Sequence, residues 1–196
     1  MSTNLKKTED EVAATLLASI AKGETKAMEE FYRLFSRTVY AFVLRRLENP
    51  VESEEVVVET MYEVWRSAGV FAGRSAPRSW LLGIARHKLI DKQRAWHANP
   101  FEELGEEAEN VASEEPSAFD YLAQQQTREQ VQNCLDTLPE EQSECMHLMF
   151  YEDLSIHEIA QIQDCPENTI KTRLFHARKK LKLCLERQTR WQLNLG

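Results

Sequence analysis

The chain has 196 residues, a length that fits one ordinary domain or two small ones. It is 42% hydrophobic and 29% charged, which is the composition of a folded protein. No apolar run in the sequence is long enough to cross a bilayer, and its first ten residues are mostly polar, so we expect a cytoplasmic protein with neither membrane insertion nor a signal peptide. The net charge of −8 argues against nucleic acid as a partner only if the charges are spread evenly.

Four helices are predicted in the first half of the chain. Apolar residues at helical spacing place them at Glu11–Lys22, Lys26–Leu47, Pro50–Arg66 and Arg78–Ala95. Asn49, Pro50 and Glu52 fit an N-cap, a first helical position and a capping box in turn. Residues 67–77 contain two Gly, two Ser and one Pro, which predicts a loop.

The second half begins with an acidic stretch and then becomes helical again. Residues 97–127 hold eight acids and no Lys or Arg, which is typical of a flexible linker. Helical patterns follow from about Phe119 to Leu138 and from Pro139 to about Tyr151. We therefore predict an all-α protein of two small helical domains joined by a flexible acidic linker. The boundaries are an N-terminal helix at 1–24, a first domain at 25–96, a linker at 97–127 and a second domain at 128–190.

Positive charge is concentrated in two blocks. Residues 66–94 contain seven Lys or Arg against one acid, and residues 171–190 contain eight against one. Two basic blocks on either side of an acidic linker indicate two surfaces that face a polyanion, one on each domain.

The second basic block lies in a predicted helix-turn-helix. Ser155 and Glu158 form a capping box for a short helix, a turn follows at 163–165, and Pro166 begins a long helix. The second helix of such a motif enters the major groove, so its outer face supplies the DNA contacts. These are Thr169, Lys171, Thr172, Arg173, Phe175, His176, Arg178 and Lys179. The alternative is a solvated basic face on an ordinary helical hairpin.

Catalytic and metal-binding patterns are missing from the sequence. The four cysteines lack paired spacing, so we expect free thiols and no metal site, although Cys145 and His147 would be a fragment of one. There is no Gly-rich phosphate loop and no nucleophile motif. We expect a protein that is not an enzyme, with no cofactor and no small-molecule substrate.

Two parts of the chain resemble the extracytoplasmic-function (ECF) group of the sigma-70 family of bacterial RNA polymerase sigma factors. Region 4 is resembled by LDTLPEEQ at 135–142, LSIHEIA at 154–160 and PENTIKTRLFHARKKL at 166–181. Region 2 is resembled by EEVVVETM at 54–61 and SWLLGIARHKLIDKQR at 79–94. The resemblance implies a protein that directs core polymerase to promoters and is held inactive by an anti-sigma protein.

The resemblance also implies roles for residues of region 2. Contacts to core RNA polymerase fall on the acidic helix, at Glu54, Glu55, Val58, Glu59 and Glu63; a solvated acidic face is the alternative there. Contacts to the −10 promoter element fall on the loop and the helix after it, at Phe71, Arg74, Ser75, Arg78, Arg86, His87, Asp91 and Arg94. Region 4 would then recognise the −35 element.

Three positions depart from the family pattern, and two other functions stay open. Val58 and His87 stand where the family often has Gln and Asn, and Asp164 replaces a frequent Gly in the turn. One alternative function is a helix-turn-helix regulator, which would lack the features of residues 52–94. The other is a sigma-like decoy that sequesters an anti-sigma factor, which would not need a basic recognition helix.

Overall fold

The computed structural model describes residues 2–98 and 130–193, and all of the regular secondary structure in these ranges is helical. The predicted all-α class is therefore confirmed. The helices group into two compact units, one on each side of residues 99–129. The predicted acidic linker lies almost entirely outside the described residues.

The first unit contains four helices: α1 at Ser2–Ile20, α2 at Thr25–Leu47, α3 at Pro50–Ser67 and α4 at Pro77–Ala98. A 3-10 turn at Ala68–Val70 continues α3 into the loop. Helix α1 begins nine residues before the predicted Glu11, because the apolar pattern that marked it starts only at Val12. Its buried residues Ala13, Leu17 and Ile20 pack it into this unit, against α2 and the start of α4.

The core of the first unit is built on α2. Phe31, Phe35, Val39 and Phe42 follow one another at three- and four-residue spacing, and each is at most 1% exposed. Burying one such side chain contributes about 1.5–3 kcal/mol. Helices α3 and α4 close over this stripe, so their opposite faces are left for charged residues.

Asn49 caps α3 as predicted, but the capping box is only half formed. Its side-chain oxygen accepts a hydrogen bond from the Glu52 amide at 3.1 Å. The Glu52 carboxylate does not return to the cap; it pairs with Lys92 of α4 instead. An ion pair between helices has replaced the local contact that the sequence pattern predicted.

The second unit contains α5 at 130–136, α6 at Glu140–Phe150, α7 at Ile156–Ile162 and α8 at Glu167–Leu193. The predicted capping box at the start of α7 is confirmed, with the Ser155 amide 2.8 Å from a Glu158 oxygen. Asp164 lies in the turn with φ of +49°, a left-handed conformation that Asp tolerates better than most residues. Helix α8 then packs along α6 and α7 through Ile170, Leu174 and Ala177.

The expectation of four free thiols is wrong for two of them. Cys134 of α5 and Cys184 of α8 form a disulfide across 50 residues of chain, while Cys145 and Cys165 are free. The sequence positions of Cys134 and Cys184 did not indicate that they pair. The pairing depends on how α5 folds back beside the distal part of α8.

Replacing Cys134 and Cys184 together by Ser should destabilise the second unit by about 2–4 kcal/mol, because the unfolded chain loses a crosslink that closes a long loop. Hydrogen exchange of the full-length oxidised protein would measure this, unit by unit. The first unit should be unchanged, and the wild type treated with reductant should match the double variant. Equal protection in oxidised wild type and variant would contradict the prediction.

Candidate nucleic-acid interface

Helix α8 presents an exposed cationic face next to a buried apolar one. Ile170, Leu174 and Ala177 are at most 3% exposed and form the inward face of the helix. Six of the predicted DNA contacts are exposed, namely Lys171, Thr172, Phe175, His176, Arg178 and Lys179. Thr169 and Arg173 are half-buried at the edge of this face. The helix can therefore offer cations, a hydroxyl and an aromatic ring to a groove without unpacking.

Two aromatic contacts shape the exposed face. The ring of Phe175 is 64% exposed and meets the His176 ring edge-on, with 5.4 Å between centroids. The Arg178 guanidinium lies 5.7 Å from the centre of the Phe150 ring, with Nη2 3.3 Å from the sulfur of Met149. A cation held over an aromatic face keeps its charge and loses part of its freedom, so α6 restricts where Arg178 can reach.

Arg173 is engaged by the protein itself. Its Nη1 donates a hydrogen bond to the side-chain oxygen of Gln163 at 2.6 Å and lies 3.6 Å from the sulfur of Cys165. The prediction that Arg173 contacts DNA stays untested, but part of its guanidinium already bonds to the turn that precedes α8.

Gln163 belongs to a buried polar cluster that sequence reasoning missed. Gln163 and Glu144 are 5% and 3% exposed, and their side chains are 2.6 Å apart, nitrogen to oxygen. Cys145 beside them is fully buried, and this burial raises the pKa of its thiol to about 12. In the sequence Gln163 was only a turn residue and Glu144 only one acid among several on α6. The cluster forms only when the turn after α7 packs against α6.

A second polar contact links α7 to the start of α8. The His157 Nδ1 lies 3.1 Å from a Glu167 carboxylate oxygen, and the Gln161 side chain approaches the other ring nitrogen at 3.1 Å. All three side chains are exposed, so this contact adds little stability by itself. It does place the only acid in the first turn of α8 against α7.

The acidic helix α3 exposes only part of its predicted binding surface. Glu54, Val58 and Glu59 are exposed, and among the described residues neither glutamate has an ion-pair partner. Glu55 is exposed but lies 2.6 Å from the Lys92 nitrogen, and Glu63 lies 3.6 Å from Arg66. The hydrogen bonds from Lys92 to Glu52 and Glu55 raise the pKa of this lysine, so it stays charged.

Apolar side chains accompany the acids on α3. Val51, Val58 and Tyr62 are all more than 60% exposed and recur at helical spacing. Trp65 is 36% exposed and lines a shallow groove with Tyr32 of α2. A stripe of exposed apolar residues bordered by acids is typical of a surface that another protein covers.

The loop before α4 and α4 itself carry the remaining predicted contacts. Arg74 is exposed, Ser75 is half-buried, and Phe71 packs on Trp80 with 5.2 Å between ring centroids. Arg78 donates to the carboxylate of Glu9 on α1 at 3.3 Å, so the N-terminal helix contacts this surface. On α4, Arg86 is half-buried, while His87, Asp91 and Arg94 are exposed. Arg94 lies 3.8 Å from Asp91, and the His87 ring nitrogen lies 2.7 Å from the carbonyl of Gly83.

Residues 2–98 and 130–193 hold neither a candidate metal site nor a candidate membrane-spanning helix. No cluster of three or more His, Cys, Asp or Glu side chains could hold a metal ion. None of the helices is long and apolar enough to cross a membrane.

Comparison with known proteins gives matches along most of the chain. The family model for sigma-70 region 2 matches residues 31–97, and that for sigma-70 region 4 matches residues 128–181. An ECF RNA polymerase sigma factor, SigK of Mycobacterium ulcerans, is 34% identical over 87% of this chain and 92% of its own. SigK of Mycobacterium bovis BCG is 31% identical over the same shares.

Solved structures share the fold. CnrH, in complex with the cytosolic domain of CnrY, aligns with a TM-score of 0.61 and 22% identity, covering 89% of this chain and 97% of the other. RpoE of Bartonella quintana, in complex with the anti-sigma factor NepR, aligns with a TM-score of 0.63 and 21% identity, covering 82% and 98%.

The buried cluster predicts a large difference in reactivity between the two free thiols. At pH 9 a thiol of pKa about 12, such as that of Cys145, is ionised only to about one part in a thousand. Iodoacetamide should therefore label half-buried Cys165 of the native protein and spare Cys145, with the labelled sites identified by mass spectrometry. Unfolding in urea should make both react alike. Rapid native labelling of Cys145 would show that this cluster opens.

Proposed function

The chain belongs to the ECF group of the sigma-70 family and is a sigma factor, and we propose that α8 recognises the −35 element while the loop 71–78 and α4 capture the melted −10 strand. The family is not a class of enzymes, and we propose that this chain catalyses nothing itself. It would act in the cytoplasm, where core polymerase works. The proposed division of labour keeps the boundaries 1–24, 25–96, 97–127 and 128–190.

One observation carries this proposal: regions 2 and 4 occur in order on one chain, and each has an exposed polar surface of the required kind. A helix-turn-helix regulator needs only the second. A decoy that only binds an anti-sigma factor has no use for six exposed candidate contacts on α8. Pull-down with core polymerase separates the proposal from the regulator, and run-off transcription from a genomic library separates it from the decoy.

We assign core-polymerase binding to α3, centred on Glu54, Val58 and Glu59. The carboxylates of Glu54 and Glu59 are exposed and not neutralised by described neighbours, and Val58 and Tyr62 add apolar area beside them. This combination suits a basic helical partner whose aliphatic stems can pack while its charges pair. Glu55 and Glu63 contribute less, because each has a cation within 4 Å.

An anti-sigma protein is the second proposed partner, and it would cover the same faces. CnrH and RpoE share the fold of this chain, and each was solved with a second protein bound. The apolar stripe on α3 supports this proposal, because Val51, Val58 and Tyr62 are unusually exposed for side chains of their kind. Competition between core polymerase and an inhibitor for one face would give a simple switch.

Reversing the charge of Glu54 and Glu59 together to Lys should weaken binding to core polymerase by tenfold or more, about 1.4 kcal/mol, because two attractive pairs become repulsive. Fluorescence anisotropy of the labelled full-length protein with core enzyme would measure this at two salt concentrations. Reversal of Glu29 and Glu30, two exposed acids of α2, is the matched control. Equal losses in both double variants would mean a general charge effect and not a site on α3.

Replacing Phe71, Arg74 and Ser75 by Ala should impair promoter opening and spare core binding. The change removes a stacking surface worth about 1–3 kcal/mol per base, with a cation and a hydroxyl. Permanganate reactivity of thymines at the −10 element should fall, and run-off yield should recover on a template with a pre-melted bubble.

Because Phe71 also packs on Trp80, the single variant Arg74→Ala separates loop function from local packing. It should show a smaller defect of the same kind. The α3 charge reversal is a useful contrast, since a bubble should not rescue a loss of core binding. Normal duplex opening by the triple variant would exclude the loop from strand capture.

A further inference from the structure

Gln163 joins three elements of the helix-turn-helix unit through one buried side-chain amide. Its oxygen accepts hydrogen bonds from the Arg173 Nη1 at 2.6 Å and from the Cys145 thiol at 3.1 Å. Its nitrogen donates to a Glu144 carboxylate oxygen at 2.6 Å and to the backbone carbonyl of Glu141 at 3.3 Å. Every donor and lone pair of the amide is used, and the partners lie on α6 and α8 while Gln163 lies between α7 and α8.

The Gln163 amide connects a buried acid, Glu144, to a base, Arg173, and so lowers the cost of burying the acid. Glu144 is 3% exposed, and a buried carboxylate is tolerated only with hydrogen bonds and a compensating charge. Gln163 supplies one such hydrogen bond, and Arg173, at the far end of the amide, supplies a positive charge. The Glu144–Gln163–Arg173 chain therefore has a preferred geometry, since a small rotation of α8 would break the link at 2.6 Å.

The position of Arg173 on α8 agrees with an inward role. At about 100° per residue, Arg173 lies about 60° from Ile170, which is fully buried, and about 100° or more from Thr172 and Lys179, which are exposed. The guanidinium thus emerges beside the packed face and next to the turn. The side chains best placed to enter a groove are on the opposite arc.

We propose that Gln163 and Arg173 are positioning residues that set how α8 is seated on α6, and thereby which of its side chains reach the −35 bases, and that Arg173 does not recognise a base itself. This inference rests on the proposed function of α8 as the −35 recognition helix. Gln163 acts through Arg173, and Arg173 acts through the placement of the whole helix.

The test is a double-mutant cycle on the full-length protein with core polymerase, using a promoter that the wild type selects from a genomic library. The variants are Gln163→Met, Arg173→Met and both together, each assayed against all single base-pair changes of the −35 element. Binding is measured at a temperature where circular dichroism shows each variant fully folded. Gln132→Met, an exposed change of the same type on α5, is the matched control.

We expect each single variant to lose tenfold or more in the ratio of promoter to random-sequence binding, with preference relaxed at several base pairs. The double variant should be no worse than either single one, because both break the same link. Arg173→Lys keeps a donor and a charge and should restore most of the preference. Gln132→Met should behave as wild type.

If the polar cluster is needed for folding, the apolar triple variant Glu144→Met, Gln163→Met, Arg173→Met provides a second measurement. Replacing all members of a buried polar group is often tolerated, because no charge is left unpaired. That variant should fold and still lose preference at several base pairs. Wild-type preference in a folded triple variant would overturn the proposal.

Two further outcomes would also overturn it. Loss of preference at one base pair in Arg173→Met, with Gln163→Met unaffected, would make Arg173 a base-recognising residue. If the affinity losses disappear when the variants are fully folded, the Glu144–Gln163–Arg173 hydrogen bonds only stabilise the fold.

A measurement without DNA keeps this inference separate from the proposed function. The amides of Asp164 and Cys165 bond back to the carbonyls of Gln161 and Ala160. Gln163→Met should speed their hydrogen exchange tenfold or more while leaving the middle of α6 protected. If the wild type selected no promoter, the proposed function would fail, and this exchange would still decide whether Gln163 holds the start of α8. Unchanged exchange at the turn would overturn the positioning role.

Discussion

A chain of net charge −8 that binds DNA must keep its cations away from its own acids, and the packing of α2 decides how far it succeeds. The apolar stripe of α2 packs against both α3 and α4, and Glu52 and Glu55 of α3 face Lys92 of α4. Lys92 is drawn into this boundary by Glu52 and Glu55, and Arg78 is drawn towards Glu9 of α1. Among the described residues, the cations that stay exposed without an acidic partner include Arg74 of the loop before α4 and Lys171 and Lys179 of α8.

Internal pairing therefore sorts cations that look equivalent in the sequence. Lys171 and Lys179 project from α8, Arg178 is held over Phe150, and Arg173 is tied to the turn. A projecting lysine supplies affinity that depends on salt, because it displaces counterions from the backbone. A restrained arginine costs less entropy to place and is better suited to a fixed geometry. The two kinds of cation can thus divide affinity and orientation between them.

The sequence predicted what depends on periodicity and on local hydrogen bonds. Helices α2 and α3 and the Ser155 capping box followed from patterns within a few residues of one another. The Cys134–Cys184 disulfide, the Gln163 cluster and the transfer of Glu52 to Lys92 join residues at least ten positions apart. Such contacts depend on how the helices pack. The sequence around a polar residue does not show which distant residue will become its partner.

The turn of the helix-turn-helix is held partly by its backbone conformation and partly by side-chain hydrogen bonds. Glycine at position 164 would adopt φ near +49° without strain, but it would also leave the turn free to adopt other conformations. Asp164 narrows that freedom at some cost, because a residue with a Cβ is less stable in the left-handed region. The buried amide of Gln163, one residue earlier, then holds the turn from the inside. The direction in which α8 leaves the turn is consequently set by side chains of α6 and α8 as much as by the turn itself.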